Sequence, residues 1–299
     1  MVIALTIFVS LLMPLYAVYQ AWTAGKSGRL VWLLRMAAAV GFMGFLTLVA
    51  RWDFLSVYLV WLWWTLIVAV GTYALLRVVR RPWVKGDKRS VLWTAGIEFV
   101  IGLALLGYAG VGLLHPAAVD LRFPFAGGSY VVGQGGSATV INYHSANDTQ
   151  RFALDILALD ELGRRADGIE PTELASYRIY GREVVSPCDG EVTAAVDGIA
   201  DNAIGSTNRD AVAGNHVVIA CEGIEILLAH FMPGSVLVKA GDSVATGEPL
   251  GRVGNSGNSS EPHLHIHAVR TGTGGALEGE AVPLTFGGRF LVRGSIIGS

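Results

Sequence analysis

Glu261-Pro262-His263-Leu264-His265-Ile266-His267 is the stretch whose reading decides the C-terminal half of this chain. In an extended strand successive side chains point to opposite faces, so His263, His265 and His267 share one face while Leu264 and Ile266 take the other. One side of the strand presents imidazoles and the other anchors in a core. Neutral imidazole is the commonest protein ligand for a borderline metal such as zinc, and histidines at i and i+2 of a strand can converge on one ion. A polar face that merely happens to be rich in histidine is the plainer reading, and three alternating histidines behind a proline weigh against it.

Away from this strand the chain divides into two halves of different character. Residues 1–115 carry 10 Lys and Arg against 3 Asp and Glu, which leaves 12 against 21 for the remainder. The apolar fraction of 52% and the mean hydropathy of +0.50 are high for a soluble protein, and the excess lies in the first half. A membrane-spanning helix needs about 20 mostly apolar residues, and residues 2–19, 30–50, 54–76 and 91–114 each supply such a run. The expected first half is thus a bundle of four transmembrane helices over residues 1–115. A cleaved signal peptide is the rival for the first run, but its start lacks Lys and Arg, and Ala21-Trp22-Thr23-Ala24 is a poor cleavage site.

Orientation follows from the connections between the runs. The third carries Arg77, Arg80, Arg81, Lys85, Lys88 and Arg89, the first carries Lys26 and Arg29, and the second has little beyond Arg51 and Asp53. Basic loops stay on the cytoplasmic side, which puts the N-terminus and everything after His115 outside the cytoplasmic (inner) membrane. Glu98 falls inside the fourth run, where a charged acid is costly; it either faces the bundle interior or is protonated near the interface.

Past a linker expected at residues 116–130, long apolar runs give way to short ones punctuated by glycine. Strands are expected at 131–132, 138–143, 151–158, 191–196, 216–221, 224–231, 236–238, 250–253 and 264–269, giving an all-β domain over 131–299. The charged stretch 163–180 reads as an exposed insertion, helical in part at 171–176, with its charges on a solvated face. Cys188 and Cys221 both lie in this outer half, where a disulfide and two small buried thiols are both open readings. Six of the seven histidines are here. Asp155, set in the apolar run Phe152-Ala153-Leu154-Asp155-Ile156-Leu157, is an expensive burial unless paired, to Arg151 for instance, or bound to a metal. A hairpin through residues 145–150 would bring His144 beside it. His230, taken alone, is an ordinary strand-end residue, and His216 is read as structural.

Over residues 131–269 the ordered series of motifs resembles the lysostaphin-type zinc endopeptidases, which cut peptide bonds in bacterial cell-wall peptidoglycan. The resemblance rests on Ser186-Pro187 followed by Gly190-Glu191-Val192, on Gly214-Asn215-His216-Val217-Val218-Ile219, and on Leu228-Ala229-His230-Phe231. It continues through Val238-Lys239-Ala240-Gly241-Asp242, Gly247-Glu248-Pro249-Leu250-Gly251, Gly254-Asn255-Ser256-Gly257 and Pro262-His263-Leu264-His265. It implies an antiparallel sheet or sandwich with a duplicated hybrid motif, a Zn2+ cofactor and a peptidoglycan peptide as substrate. It further implies that His265 ligates zinc, and that His230 and His263 are catalytic histidines flanking a bound water and the developing oxyanion. His267 stands where the family commonly has a glutamate.

The family usually takes its other two ligands from His-x-x-x-Asp, and this sequence departs from that spacing. Arg151 occupies the histidine position relative to Asp155, while His144 and Asp148 keep the spacing with Asp148 in a polar turn. His144 and Asp155 are the expected ligands beside His265, and Asp148 is the rival carboxylate. Two histidines and one carboxylate leave a fourth tetrahedral position for water, whose pKa zinc lowers to about 7. Histidines must then carry the acid and base work, because the sequence has no His-Glu-x-x-His helix.

The expected function is a membrane-anchored zinc metalloendopeptidase acting on wall peptides, with the lipid bilayer as its other partner and any regulatory membrane partner unidentified. An inactive binding or regulatory module of the same fold is the alternative, and the displaced first ligand is its support. A biotinyl or lipoyl carrier needs a lysine at a hairpin tip, and Lys239, the sole lysine after Lys88, precedes the turn. An acidic outer half without a basic stripe argues against nucleic acid.

Overall fold

Among the described residues, four helical stretches are long and apolar enough to cross a membrane: Ile3–Ala24, Arg29–Val49, Leu59–Val78 and Arg89–Leu113. The computed structural model describes residues 2–84 and 89–298, so Lys85 and Lys88 of the third connection lie outside the described residues. The chain divides into two units, Met1–Val111 and Gly112–Ser299.

In the first unit the helices are α1 (Val2–Ile7), α2 (Met13–Ala24), α3 (Arg29–Val49), α4 (Leu59–Val78) and α5 (Arg89–Gly110). A π-helical stretch at Phe8–Leu12 joins α1 to α2 just before Pro14, whose missing N–H and bulky ring disturb a regular ladder. Small residues let α3 and α5 touch: a Cβ added at Gly102 would stand 2.8 Å from the Ala38 carbonyl oxygen. Glu98 of α5 pairs with Arg35 of α3, Nε to Oε2 at 3.5 Å, so the acid faces a cation on a neighbouring helix.

The second unit is built of strands. They are β1 (Val119–Leu121), β2 (Ser129–Gln134), β3 (Leu154–Leu159), β4 (Glu183–Val185) and β5 (Gly190–Val196). Next come β6 (Asn215–Cys221), β7 (Ile224–Phe231), β8 (Ser243–Val244), β9 (Pro249–Arg252) and β10 (Leu264–Arg270). The last are β11 (Ala281–Val282), β12 (Leu284–Phe286), β13 (Arg289–Phe290) and β14 (Ile296–Gly298). Nine form one sheet in the order β14-β2-β3-β10-β7-β6-β5-β8, with β11 also on β10, and every pairing in it is antiparallel. Alternation along the central strands sends Leu154, Ile156, Ile226, Leu228, Leu264 and Ile266 into one core on one face of that sheet. Cys188, just before β5, and Cys221, at the end of β6, form a disulfide that belongs to that core.

Four local expectations are corrected. Residues 116–130 are not a plain linker: they contain β1 and bury Leu121 and Phe125. Residues 138–143 are not a strand, because the backbone closes on itself, Asn142 N donating to Ala138 O at 2.9 Å. The buried Asn142 side chain holds that turn, its Nδ2 donating to Gly136 O at 2.8 Å and to Ala153 O at 3.1 Å. Residues 236–238 lie outside any strand, although Leu237 N donates to Leu250 O. The stretch 163–180 is not wholly solvated: Arg165 is 2% exposed, and its guanidinium meets Glu261 at 2.7 Å and stacks over Tyr177.

Candidate metal centre

Register builds the site. In the β3–β10 pair His265 lies directly opposite Asp155, and both side chains leave the sheet on the face away from the main core. His263 and His267 flank His265 on that face, with the three histidines 8%, 4% and 2% exposed in chain order. Loops therefore cover this side of the sheet as well. His144 arrives from the helical turn Tyr143–Ala146, where the Asn142 side chain accepts from the His144 backbone N–H.

His230 reaches the same face through a break in alternation. On β7 the even residues Ile224, Ile226 and Leu228 point into the main core, so a regular strand would send His230 there too. The β6–β7 register shifts instead: His216 opposes Ala229 and Asn215 opposes Phe231, which leaves His230 as the extra residue of a bulge. Its φ of 69° is left-handed, an uncommon conformation for a residue with a Cβ. Phe231 then returns to the core fully buried.

The contacts within the cluster are short. His144 Nε2 lies 2.9 Å from Asp155 Oδ1, and His265 Nδ1 lies 3.1 Å from the same oxygen. His263 Nε2 stands 3.5 Å from it. One potential donor atom each from His144, Asp155 and His265 falls within 4.8 Å of the others, and the same holds for His230, His263 and His265. The first set, two imidazoles and a buried carboxylate, fits a zinc ion by donor type and number.

Electrostatics favour a bound cation. Burial works to raise the Asp155 carboxyl, but His144 overrides it and holds the group well below the usual carboxylate range. Burial works to lower His144, and the Asp155 charge reverses that and raises it. Burial pushes His230 well below the ordinary value, with His263 and His265 adding to the shift. The same cause takes His265 down to about 3 and His267 to about 4. A proton shared by His144 and Asp155 is what a metal ion would replace.

Two histidines share a tautomer set by backbone carbonyls, which can only accept. His230 Nδ1 contacts Ser256 O at 2.8 Å and His263 Nδ1 contacts Glu261 O at 2.8 Å, so each carries its hydrogen there. In the neutral form of each ring Nε2 is then the bare nitrogen. Two segments support this arrangement by crossing closely at glycine: a Cβ on Gly257 would stand 2.4 Å from Gly214 N.

Asp148, the rival carboxylate, is exposed on the connecting loop, and Arg151 is exposed with its guanidinium over the Phe152 ring. Asp155 faces histidines rather than Arg151. His216 Nδ1 contacts Gly214 O at 2.7 Å. Sequence reasoning missed Tyr143, whose hydroxyl donates to Asp155 Oδ2 at 3.3 Å, and Gln150, whose Oε1 lies 3.1 Å from His144 Nδ1. Neither sits in a pattern that singles it out: Tyr143 ends the stretch expected as a strand, and Gln150 lies in the expected hairpin connection. A cleft of about 80 Å³ opens over the cluster, with Tyr143, Val212 and Leu277 beside the histidines.

A buried set of imidazoles around one carboxylate on an antiparallel sheet is a donor arrangement that could hold a metal ion. Residues 177–276 match the model of peptidase family M23. The matched segment holds His230, His263 and His265; His144 and Asp155 precede it. No curated protein matches the chain. Among solved structures it is similar to a putative M23 peptidase from Pseudomonas aeruginosa, at 18% identity and TM-score 0.30, over 57% of this chain and 54% of that one. It is also similar to a zinc-containing peptidase from Vibrio cholerae, at 19% identity and TM-score 0.27, over 60% of this chain and 37% of that one. Lysostaphin matches at 18% identity and TM-score 0.26, over 40% of this chain and 36% of its own. The chain thus spans about half of the first of these and less of the other two.

Proposed function

We propose that the protein is a membrane-anchored zinc endopeptidase that hydrolyses peptide bonds of cell-wall peptidoglycan on the outer side of the cytoplasmic membrane. The observation that carries this reading is the convergence of His144, Asp155 and His265 on one point, beside His230 and His263 in matched tautomers. The M23 domain supports the reaction class, and the four apolar helices with basic connections support the location.

His144, Asp155 and His265 would hold the ion. When bound, zinc supplies Lewis acidity toward a scissile carbonyl and lowers the pKa of water. The protein's own contribution is then proton handling and exclusion. His230 and His263 present bare Nε2 atoms that can take a proton from water and return it to a leaving amine. Protonated in turn, either ring becomes a donor to a developing oxyanion. Burial keeps both rings poorly solvated, which strengthens each such contact.

The test is zinc content and peptidoglycan cleavage by the full-length chain in detergent, beside the His265→Ala variant. We expect about one zinc per chain and cleavage that both vanish in the variant. Wild-type protein that takes up no zinc would remove the metal reading. Stoichiometric zinc with no cleavage of any peptidoglycan would instead favour a binding module, the role for which the displaced first ligand speaks.

A further inference from the structure

His267 has no part in the reaction as described, yet it is among the most buried polar residues of the β unit and contacts the expected ligand directly. We propose that His267 is a positioning residue that locks His265 in its Nε2–H tautomer, leaving Nδ1 bare toward Asp155. The proposal rests on the zinc reading above.

The argument starts at a backbone carbonyl. Ala276 O lies 2.7 Å from His267 Nε2 and can only accept, so that nitrogen carries the hydrogen. Neutral His267 then has a bare Nδ1, which lies 2.9 Å from His265 Nε2. The His265 hydrogen must therefore sit on Nε2. His265 Nδ1 is left bare, 3.1 Å from the Asp155 carboxylate. Two neutral imidazoles carry two hydrogens for three short contacts. The contact without one is His265 to Asp155, a lone pair against an anion, which is where a cation belongs.

The reverse order is worse. With the hydrogen on His265 Nδ1, His267 would have to donate through Nδ1 and turn a bare Nε2 onto the Ala276 carbonyl. That would set two buried acceptors against each other at a distance that needs a hydrogen between them. The loop carrying Ala276 thus reaches the metal-facing nitrogen of His265 through one imidazole, the relation in which an outer partner fixes the orientation and basicity of a ligand.

The experiment measures zinc affinity by competition with a chelating dye, on the full-length chain and on His267→Gln and His267→Leu. Glutamine offers both an oxygen to accept from His265 and an N–H to donate to Ala276; leucine offers neither. We expect His267→Leu to bind zinc about 10- to 100-fold more weakly and His267→Gln to stay within about 3-fold of wild type. Equal affinity in all three would overturn the proposal while leaving the zinc site intact. Equal loss in both variants would also overturn it, by showing that the position needs the imidazole itself. If the leucine variant does not fold, affinity of the glutamine variant far below wild type still refutes the relay. Wild-type protein that binds no zinc would refute the reading on which the relay rests.

Discussion

His144 Nε2 lies 2.9 Å from Asp155 Oδ1 across a loop, not along the strand that carries the aspartate. The histidine comes from a helical turn held by Asn142 and the carboxylate from the centre of β3, so the pair is assembled by tertiary structure. Asp148 keeps the closer sequence spacing to His144 but is exposed. We expect His144→Ala and Asp155→Ala each to reduce bound zinc to background, and Asp148→Ala to retain it, with metal content per chain as the measurement. Loss of zinc in Asp148→Ala with retention in Asp155→Ala would reverse the ligand assignment.

His230 should separate binding from chemistry. It stands in a bulge at φ 69° with Nδ1 held by Ser256 O, and it does not contact Asp155 Oδ1 as His144 and His265 do. His230→Ala is expected to keep its zinc and lose roughly 100-fold or more in the rate of peptide cleavage, the usual scale for removing one acid, base or oxyanion donor. Unchanged turnover in that variant would exclude His230 from the reaction.

How far the site was legible depends on which period each residue obeys. The bounds of β7 at Ile224–Phe231 and the alternation of β10 are readable, because buried apolar positions two apart mark a strand wherever the pairing is regular. The bulge at His230 was not readable, since one extra residue leaves no mark in an apolar run. Residues 138–143 look like a strand by composition, and only the buried contacts of Asn142 turn them into the loop that delivers His144. Asp155 is recognisable as an expensive burial with His144 a hairpin away, but the register that sets His265 opposite it is not printed in the sequence.

Acid should weaken the chelator-treated protein. Histidines 230, 265 and 267 titrate lower in the folded state than the ordinary 6.5, so the unfolded chain takes up protons first. Their contribution to stability is present above 6.5 and is lost as pH falls below it. His144 is raised, so its contribution is complete below 6.5 and is lost as pH climbs through its folded value. Asp155 is lowered and fails only as pH falls below the ordinary 3.8. Between about pH 6.5 and pH 4 three groups therefore weaken the fold on acidification while one holds. The β-sheet melting temperature of chelator-treated protein is expected to drop from about pH 7 to about pH 5, and a rise over that range would contradict it. Zinc affinity should fall over the same range, because protons compete for His144.

Arg165 offers a test outside the histidine–aspartate cluster but tied to the segment that carries His263. Its guanidinium, side chain 1% exposed, meets the Glu261 carboxylate at 2.7 Å, and the Glu261 carbonyl in turn accepts from His263 Nδ1 at 2.8 Å. Removing one partner of a buried ion pair costs about 3–5 kcal/mol, and Glu261 keeps enough solvent to place this pair near the lower end. Arg165→Ala is expected to destabilise the β unit by about 3 kcal/mol, read as a lower melting temperature of the full-length chain. Adding Glu261→Gln should recover part of the loss, since the amide leaves no unpaired charge beneath the strand. The double variant should still cleave more slowly than wild type, because the loop that orients His263 has lost its anchor. Stability equal to wild type in Arg165→Ala would mean that the pair is held by its surroundings and contributes nothing to the fold.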